Sequence, residues 1–119
     1  MPRRIRDPNV AQTLEELRQV VIDHHKILNP LYSQQSGNYT SNAVVGFEFI
    51  DLTGAGQTVT LHDAPFDGQR KHIKNKGSGA ATITPGTGDT IDGNASVQIG
   101  VGVGLQLFYL EDASDWRLI

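Results

Sequence analysis

Glycine is concentrated in one part of this 119-residue chain, and that distribution restricts the folds open to it. Eleven of the 13 glycines lie between Gly54 and Gly104, where they separate short segments of alternating apolar and polar residues. Strict alternation is typical of half-buried β-strands, and glycine between such segments is typical of tight turns. From Val44 onward, the sequence therefore predicts short strands joined by turns.

The predicted strands place aliphatic residues on one face: Val59, Leu61, Ile73, Ile83 and Ile91. Residues 97–107 alternate without interruption, which predicts one long strand with Gly100, Gly102 and Gly104 sharing a face. Such a bare face is either a site where an aromatic ring such as Trp116 approaches closely, or merely a twist or bulge. Residues 116–119 predict a last short strand. Seven or so short strands predict a mainly β domain, jelly-roll or β-sandwich-like, over residues 44–119.

The first 43 residues have a different character. Residues 1–12 are expected to be an arm, residues 13–31 a helix with a Thr13–Glu16 capping box, and residues 32–43 a polar linker. Heptad spacing predicts a coiled-coil seam, which in an oligomer would form the interface. Its positions are Val10, Leu14, Leu17, Val21, His24 and Leu28. An amphipathic helix lying on its own β domain explains the same pattern equally well.

Composition excludes several classes of protein. The absence of cysteine rules out disulfides and Cys-based metal sites. The amino terminus lacks a signal-peptide core, and no apolar run is long enough to cross a bilayer, so we expect a protein made in a cytoplasm. A net charge of −3, without a concentrated basic patch, argues against nucleic-acid binding.

No residue constellation predicts catalysis, and we expect neither a cofactor nor a bound metal. The neighbours His24 and His25 diverge on a helix, and His62–Asp63 alternates across a strand end. Serines lack the context of a nucleophile elbow, and no phosphate-binding loop is present. Residues 89–94 carry carboxylates and Asn beside glycine, which predicts a turn more strongly than a calcium site.

A stripe of basic residues is expected on one face of the strand around Ile73. Its members are Arg70, His72, Lys74 and Lys76. A solvated strand face is the simpler interpretation. The alternative is an electrostatic contact with an acidic partner surface or a glycan.

Several segments of the β half resemble the knob-like modules of tailed-bacteriophage virion proteins. The segments that carry the resemblance are Gly68–Gly77, Ala81–Pro85, Gly88–Gly93 and Trp116–Ile119. The resemblance covers about residues 50–119. Such modules occur in tail fibres, tail needles and small capsid decoration (cement) proteins, and the resemblance implies a homotrimer.

The resemblance leads us to expect a capsid decoration or head-fibre protein, because the chain starts at Met1 and shows no shaft repeats. The basic residues Arg3, Arg4 and Arg6 would then dock on the major capsid protein or another virion protein. A tail fibre tip, needle tip or tail adaptor is the alternative among virion proteins. A carbohydrate-binding module for host attachment is the alternative from another class.

Overall fold

The computed structural model describes residues 30–119, which form two β-sheets. Sheet A has the strand order β1-β3-β5-β9-β10-β7, and sheet B has the order β2-β4-β6-β8. A short 3-10 helix, Glu111–Ala113, lies between the last two strands. The strands are Leu31–Gln35 (β1), Tyr39–Thr40 (β2), Phe47–Leu52 (β3), Thr58–Thr60 (β4), Arg70–Asn75 (β5), Ala81–Thr84 (β6), Thr90–Ile91 (β7), Val97–Ile99 (β8), Gly104–Leu110 (β9) and Asp115–Leu118 (β10).

The chain passes from one sheet to the other as it advances. β1, β3 and β5 lie parallel in sheet A, while β2, β4 and β6 lie parallel in sheet B. Each successive pair of strands therefore forms one coil of a parallel β-solenoid. The stacking ends where β8 and β9 add to β6 and β5 in antiparallel orientation. β10 then pairs with β9 and, on its other side, with β7.

The interior lies between the two sheets and is filled mainly by aliphatic side chains. The strands alternate buried and more exposed positions, so every second residue points inward. The fully buried set includes Ile50, Leu52, Val59, Leu61, Ile73, Ile83, Ile91, Leu107 and Trp116. All five aliphatic positions predicted to share the inward face are buried, and the predicted last strand is β10.

The mainly β prediction is confirmed, but the strand connections differ from a jelly roll. Jelly rolls are built from antiparallel neighbours, whereas five of the eight strand pairs within residues 30–119 are parallel. Alternation of apolar and polar residues has a period of two in either orientation. The sequence pattern therefore identified the strands without determining which neighbours they would pair with.

The segment expected to be a linker contains strands. β1 and β2 fall in residues 31–40 and form the first coil, even though this stretch is mostly polar. Two of its polar side chains meet polar partners from later coils. Tyr39 donates a hydrogen bond to Glu48, and Ser41 lies 2.7 Å from the His62 ring. The predicted arm and coiled-coil seam, and the predicted helix as far as residue 29, lie outside the described residues. Leu31, the last residue of the predicted helix, is instead the first residue of β1.

The predicted long strand over residues 97–107 is wrong. The chain instead leaves sheet B after β8, turns, and enters sheet A as β9. Gly102 adopts a φ of 81° in that turn, and Val103 N–H donates to the Gly100 carbonyl at 3.1 Å. Glycine therefore allows a change of sheet here. It does not create a bare strand face for Trp116, since the turn holds two of the three glycines.

Successive coils approach each other most closely at one corner, where main chain packs on main chain. A Cβ atom placed on Gly77 would lie 1.8 Å from the carbonyl oxygen of Gly54, and one on Gly54 would lie 2.2 Å from that of Ser36. Ser78 N–H also donates to the Gly54 carbonyl at 3.1 Å. The corner therefore requires glycine because of space between coils.

Replacing Gly77 with Ala should destabilise the fold, because the added methyl group collides with main chain that hydrogen bonds hold in place. Overpacking typically costs about 1–3 kcal/mol, and we expect the upper part of that range. Chemical denaturation would measure it. Gly37→Ala is the matched control, since a Cβ on Gly37 meets nothing within 4 Å. Equal midpoints for Gly77→Ala and wild type would contradict the tight corner.

Candidate functional site

The outward surface of sheet A carries two columns of side chains, which the strand register brings into line across neighbouring strands. The first column is Tyr32, Phe49, His72 and Gln106, and the second is Phe47, Arg70, Phe108 and Arg117. The five rings of the two columns form what we call the aromatic face: Tyr32, Phe47, Phe49, His72 and Phe108. The alternation that buries one side of each strand places these rings on the other.

Three rings of the aromatic face contact one another closely. Phe47 and Phe49 stack with centroids 4.7 Å apart and planes inclined by 18°, and the His72 ring lies 4.7 Å from each. The guanidinium of Arg70 sits 5.8 Å from the centroid of Phe108, within the range of a cation–π contact. Tyr32 is 57% exposed at the margin. The result is a pre-packed aromatic surface with one side open to water.

A shallow groove of about 390 Å³ runs along this surface. The exposed and half-buried side chains that line it combine two rings with charged and amide groups: Phe49, Asp51, His72, Lys74, Gln106 and Ile119. Tyr32 donates a hydrogen bond to Asp51 at its margin, with an O···O distance of 2.7 Å. The groove can therefore offer both apolar and hydrogen-bonding contacts.

Three of the four residues predicted to form the basic stripe lie on one face of β5. Arg70, His72 and Lys74 alternate on the outward side of β5, opposite the buried Ile73. Lys76 lies just beyond the strand, 3.8 Å from the Asp51 carboxylate. Partial burial and the neighbouring Arg70 lower the pKa of His72. The stripe therefore runs through the aromatic face and carries positive charge at neutral pH through Arg70 and Lys74.

An ion pair is buried between the sheets. Lys71 Nζ lies 2.7 Å from Glu48 Oε1, and both side chains are fully buried. Lys71 also donates to the Asn42 carbonyl at 2.6 Å, while Tyr39 and the main-chain N–H of Asn42 donate to Glu48. Burial lowers the pKa of Lys71, an effect that Glu48 opposes. Burial together with the Glu48 carboxylate raises the pKa of Tyr39 to about 12.

His62 is the centre of a second buried network, and its hydrogen bonds determine its tautomer. The Gln69 amide nitrogen donates to the carbonyls of Ala43 and Val45, so its oxygen must accept from His62 Nε2 at 2.9 Å. The Nδ1 atom then accepts from the hydroxyl of Ser41 at 2.7 Å. The neutral His62 ring therefore carries its proton on Nε2, and the side chain joins the first coil to the loop before β5.

Stability should fall when the solution is acidified below about pH 6.5, the ordinary pKa of histidine. Burial, and then the charge of Lys71, lower the pKa of His62 in the folded chain. The unfolded chain therefore binds a proton that the folded chain does not. One such proton lowers the free energy of unfolding by up to about 1.4 kcal/mol per pH unit, until the folded pKa is reached.

Denaturation series between pH 7.5 and 5 would measure this slope. The His72→Gln variant is the appropriate background, because the lowered pKa of His72 contributes in the same direction. Adding His62→Gln should flatten the remaining slope. A slope that persists unchanged after that substitution would exclude His62 as its source.

The acidic segment at residues 89–94 forms a turn. Asp92 and Gly93 both have positive φ, 48° and 79°, and Ile91 and Asn94 exchange two main-chain hydrogen bonds around them. The Asp89 carboxylate accepts from Tyr109, and that of Asp92 accepts from Leu118 N–H. Residues 30–119 contain no group of three or more His, Asp or Glu placed to hold a metal ion.

Only some of the site residues that were predicted from the sequence lie within residues 30–119. The arm residues Arg3, Arg4 and Arg6 and the seam from Val10 to Leu28 lie outside the described part of the chain. Sequence analysis missed the Glu48–Lys71 pair, although the alternation contained a signal for it. Glu48 shares a face with Ile50, and Lys71 shares one with Ile73, so both charges fall on inward positions.

Comparison with protein-family models and with curated proteins finds no match to this chain. Over residues 30–119, no helix is long and apolar enough to span a bilayer.

Proposed function

We propose that this chain is a structural protein of a bacteriophage virion, which assembles as a homotrimer and projects its β domain from the particle. A capsid decoration (cement) or head-fibre protein is the specific role that we favour. The observation that carries the proposal is the aromatic face, on which a single copy leaves Tyr32 exposed and the other four rings half-buried. Contiguous exposed apolar surface typically marks a site of protein association.

The buried polar groups support a structural role over a catalytic one. Glu48, Lys71 and His62 are the kinds of residue that catalyse reactions, but all three are enclosed between the sheets. Their hydrogen bonds go to one another, to main chain and to the side chains of Tyr39, Ser41 and Gln69, and they tie the first coil to the second and third. A catalytic group has to reach its substrate, so these residues stabilise coil stacking.

The resemblance to phage knob modules supports the virion assignment. The segments that carry it, Gly68–Gly77 and Ala81–Pro85, supply β5, β6 and the tight corner between them. The small size of the interior supports assembly into an oligomer, since small β domains often gain stability by association. Capsid and tail locations remain distinct proposals, and copy number separates them: hundreds of copies per particle correspond to the capsid, and about a dozen or fewer to the tail.

Carbohydrate binding is a second candidate function, favoured by the groove beside the aromatic face. Sugar rings stack on aromatic side chains, and Phe49 is flanked by Asp51 and Gln106, which offer hydrogen-bonding groups. The protein would then act as a host-attachment module. A glycan array tests this directly: selective binding lost in Phe49→Ala would favour attachment, and no binding at all would remove the candidate.

Particle binding after truncation tests the virion role. Deleting residues 1–12 removes the proposed docking residues Arg3, Arg4 and Arg6 and should abolish binding to phage particles. Light scattering of the intact chain should give about three times its 12.9 kDa mass, and the truncated chain should give a trimer as well. Neutralising the three arginines with Gln is the matched control for loss of chain length. Binding that survives truncation would refute docking through the arm.

A further inference from the structure

A surface that complements the aromatic face lies at one corner of the same molecule. We call it the acidic corner; it comprises the loop of residues 63–68 and the adjacent 3-10 helix. It carries four exposed carboxylates, those of Asp63, Asp67, Glu111 and Asp112, and one exposed ring, that of Phe66. Phe66 is 39% exposed and lies in the same loop as Asp63 and Asp67. The corner therefore combines an exposed apolar side chain with four negative charges.

The acidic corner is held in a fixed shape. Gln69 accepts a hydrogen bond from Phe66 N–H and returns one to the Phe66 carbonyl, at 3.2 and 3.1 Å. Asp67 accepts from Glu111 N–H at 3.0 Å, joining the loop to the 3-10 helix. Ala64 has a φ of 52°, a conformation that costs energy for a residue with a side chain. Such rigidity lowers the entropic cost of binding.

The charges of the two surfaces are opposite. Within residues 30–119, Lys71, Lys76 and Arg117 each pair with a carboxylate of the same chain. Arg70 and Lys74, the two cations that β5 places beside the aromatic face, form no ion pair within that part of the chain. The four carboxylates of the acidic corner likewise form none. Each surface therefore carries unpaired charge opposite in sign to that of the other, and each includes at least one aromatic ring.

We propose that the acidic corner of one copy packs on the aromatic face of the next, in a head-to-tail ring that places Phe66 against the rings of that face. This inference takes the number of copies, three, from the proposed function. It adds which two surfaces of neighbouring copies are in contact. A two-fold contact of face against face would bring Arg70 and Lys74 near their own counterparts, which like charges disfavour. A head-to-tail contact uses two different patches and forms a ring when its rotation closes.

Cross-linking between single-cysteine chains tests the contact, because the natural chain contains no cysteine. Phe66→Cys marks the acidic corner, and Gln106→Cys marks an exposed position in the first column of the aromatic face. The two full-length chains are unfolded, refolded together and treated with a bismaleimide. We expect a covalent dimer from the mixture and only monomer from either chain alone. Mixing two chains excludes a link within one copy.

Charge reversal provides a second measurement on the full chain. Arg70→Glu should raise the dissociation constant of the oligomer about tenfold or more, since juxtaposed like charges are costly at an interface. Adding Asp112→Arg to that variant should recover part of the loss. Circular dichroism spectra would establish that each variant remains folded. Glu48 and Lys71 are left unchanged in these variants, so the buried network is preserved.

The possible outcomes separate the contact from the function. A covalent dimer of Gln106→Cys chains alone would mean that the aromatic face packs on the aromatic face of another copy. A covalent dimer of Phe66→Cys chains alone would mean that the acidic corner packs on another acidic corner. Either result overturns the head-to-tail contact. A trimeric mass without any cross-link overturns the contact and leaves the proposed function standing. A monomer at every concentration overturns both. A dimer from the mixture alone supports the contact.

Discussion

Replacing Lys71 with Met should lower the free energy of unfolding by about 3–5 kcal/mol, the usual cost of removing one partner from a buried ion pair. The variant leaves the Glu48 carboxylate fully buried and without its cation. The remaining donors, Tyr39 and the main-chain N–H of Asn42, are neutral and compensate only in part. Urea denaturation followed by circular dichroism would measure the loss.

Two further variants identify the unpaired charge as the cause. Adding Glu48→Gln to Lys71→Met should recover part of the lost stability, because it removes the unpaired buried charge. The amide oxygen can still accept from Asn42 N–H, and the amide nitrogen can donate to the Tyr39 hydroxyl. Lys74→Met on the same strand is the matched control and should change stability by about 0.5 kcal/mol or less, as is typical at exposed positions. A double variant less stable than Lys71→Met itself would contradict this explanation.

Truncating Trp116 to Ala should cost about 3–5 kcal/mol, the range for removing a large aromatic side chain from a core. Trp116 is fully buried in β10, with its ring 5.1 Å from that of Tyr109 and 6.0 Å from that of His62. Its indole nitrogen makes no hydrogen bond within the described structure. The loss therefore comes from packing, and it falls where β10 joins β9 to β7.

The size of the side chain determines the expected series. Trp116→Phe should cost clearly less than Trp116→Ala, because it keeps most of the ring volume and removes an unpartnered N–H. Ile119→Ala, three residues away and 73% exposed, should be close to neutral. Circular dichroism is the suitable probe, since Trp116 is the only tryptophan in the chain. Similar losses for Phe and Ala would point to an undetected role for the indole nitrogen.

Alternation in the sequence was sufficient to locate most strands and their inward residues, such as Ile73 and Ile83. It was insufficient to predict their partners, because a solenoid coil and an antiparallel hairpin bury every second residue alike. The polar first coil was missed for a related reason. Its strands are held partly by contacts to residues far along the chain, among them Tyr39 to Glu48, and no local pattern reports such contacts.

The sequence likewise predicted only part of the candidate site. The sequence predicted that Arg70, His72 and Lys74 share one side of a strand. Phe47 and Phe49 share one side of β3. Only the parallel register of β3 and β5 brings the two sets together into the aromatic face. The acidic corner combines residues more than 40 positions apart, since Asp67 bonds to Glu111 N–H, and sequence spacing gives no indication of that contact.

Stacking of coils also has a consequence for how such a domain can change in length. Each coil contacts mainly its two neighbours, so an inserted coil between β2 and β3 would extend both sheets without rearranging the rest. One extra coil would add about 4.8 Å, the spacing between neighbouring strands. Each column on the aromatic face would grow by one side chain. Duplication of a short segment could therefore extend the reach of the domain while its far end, from β7 to β10, stays as it is.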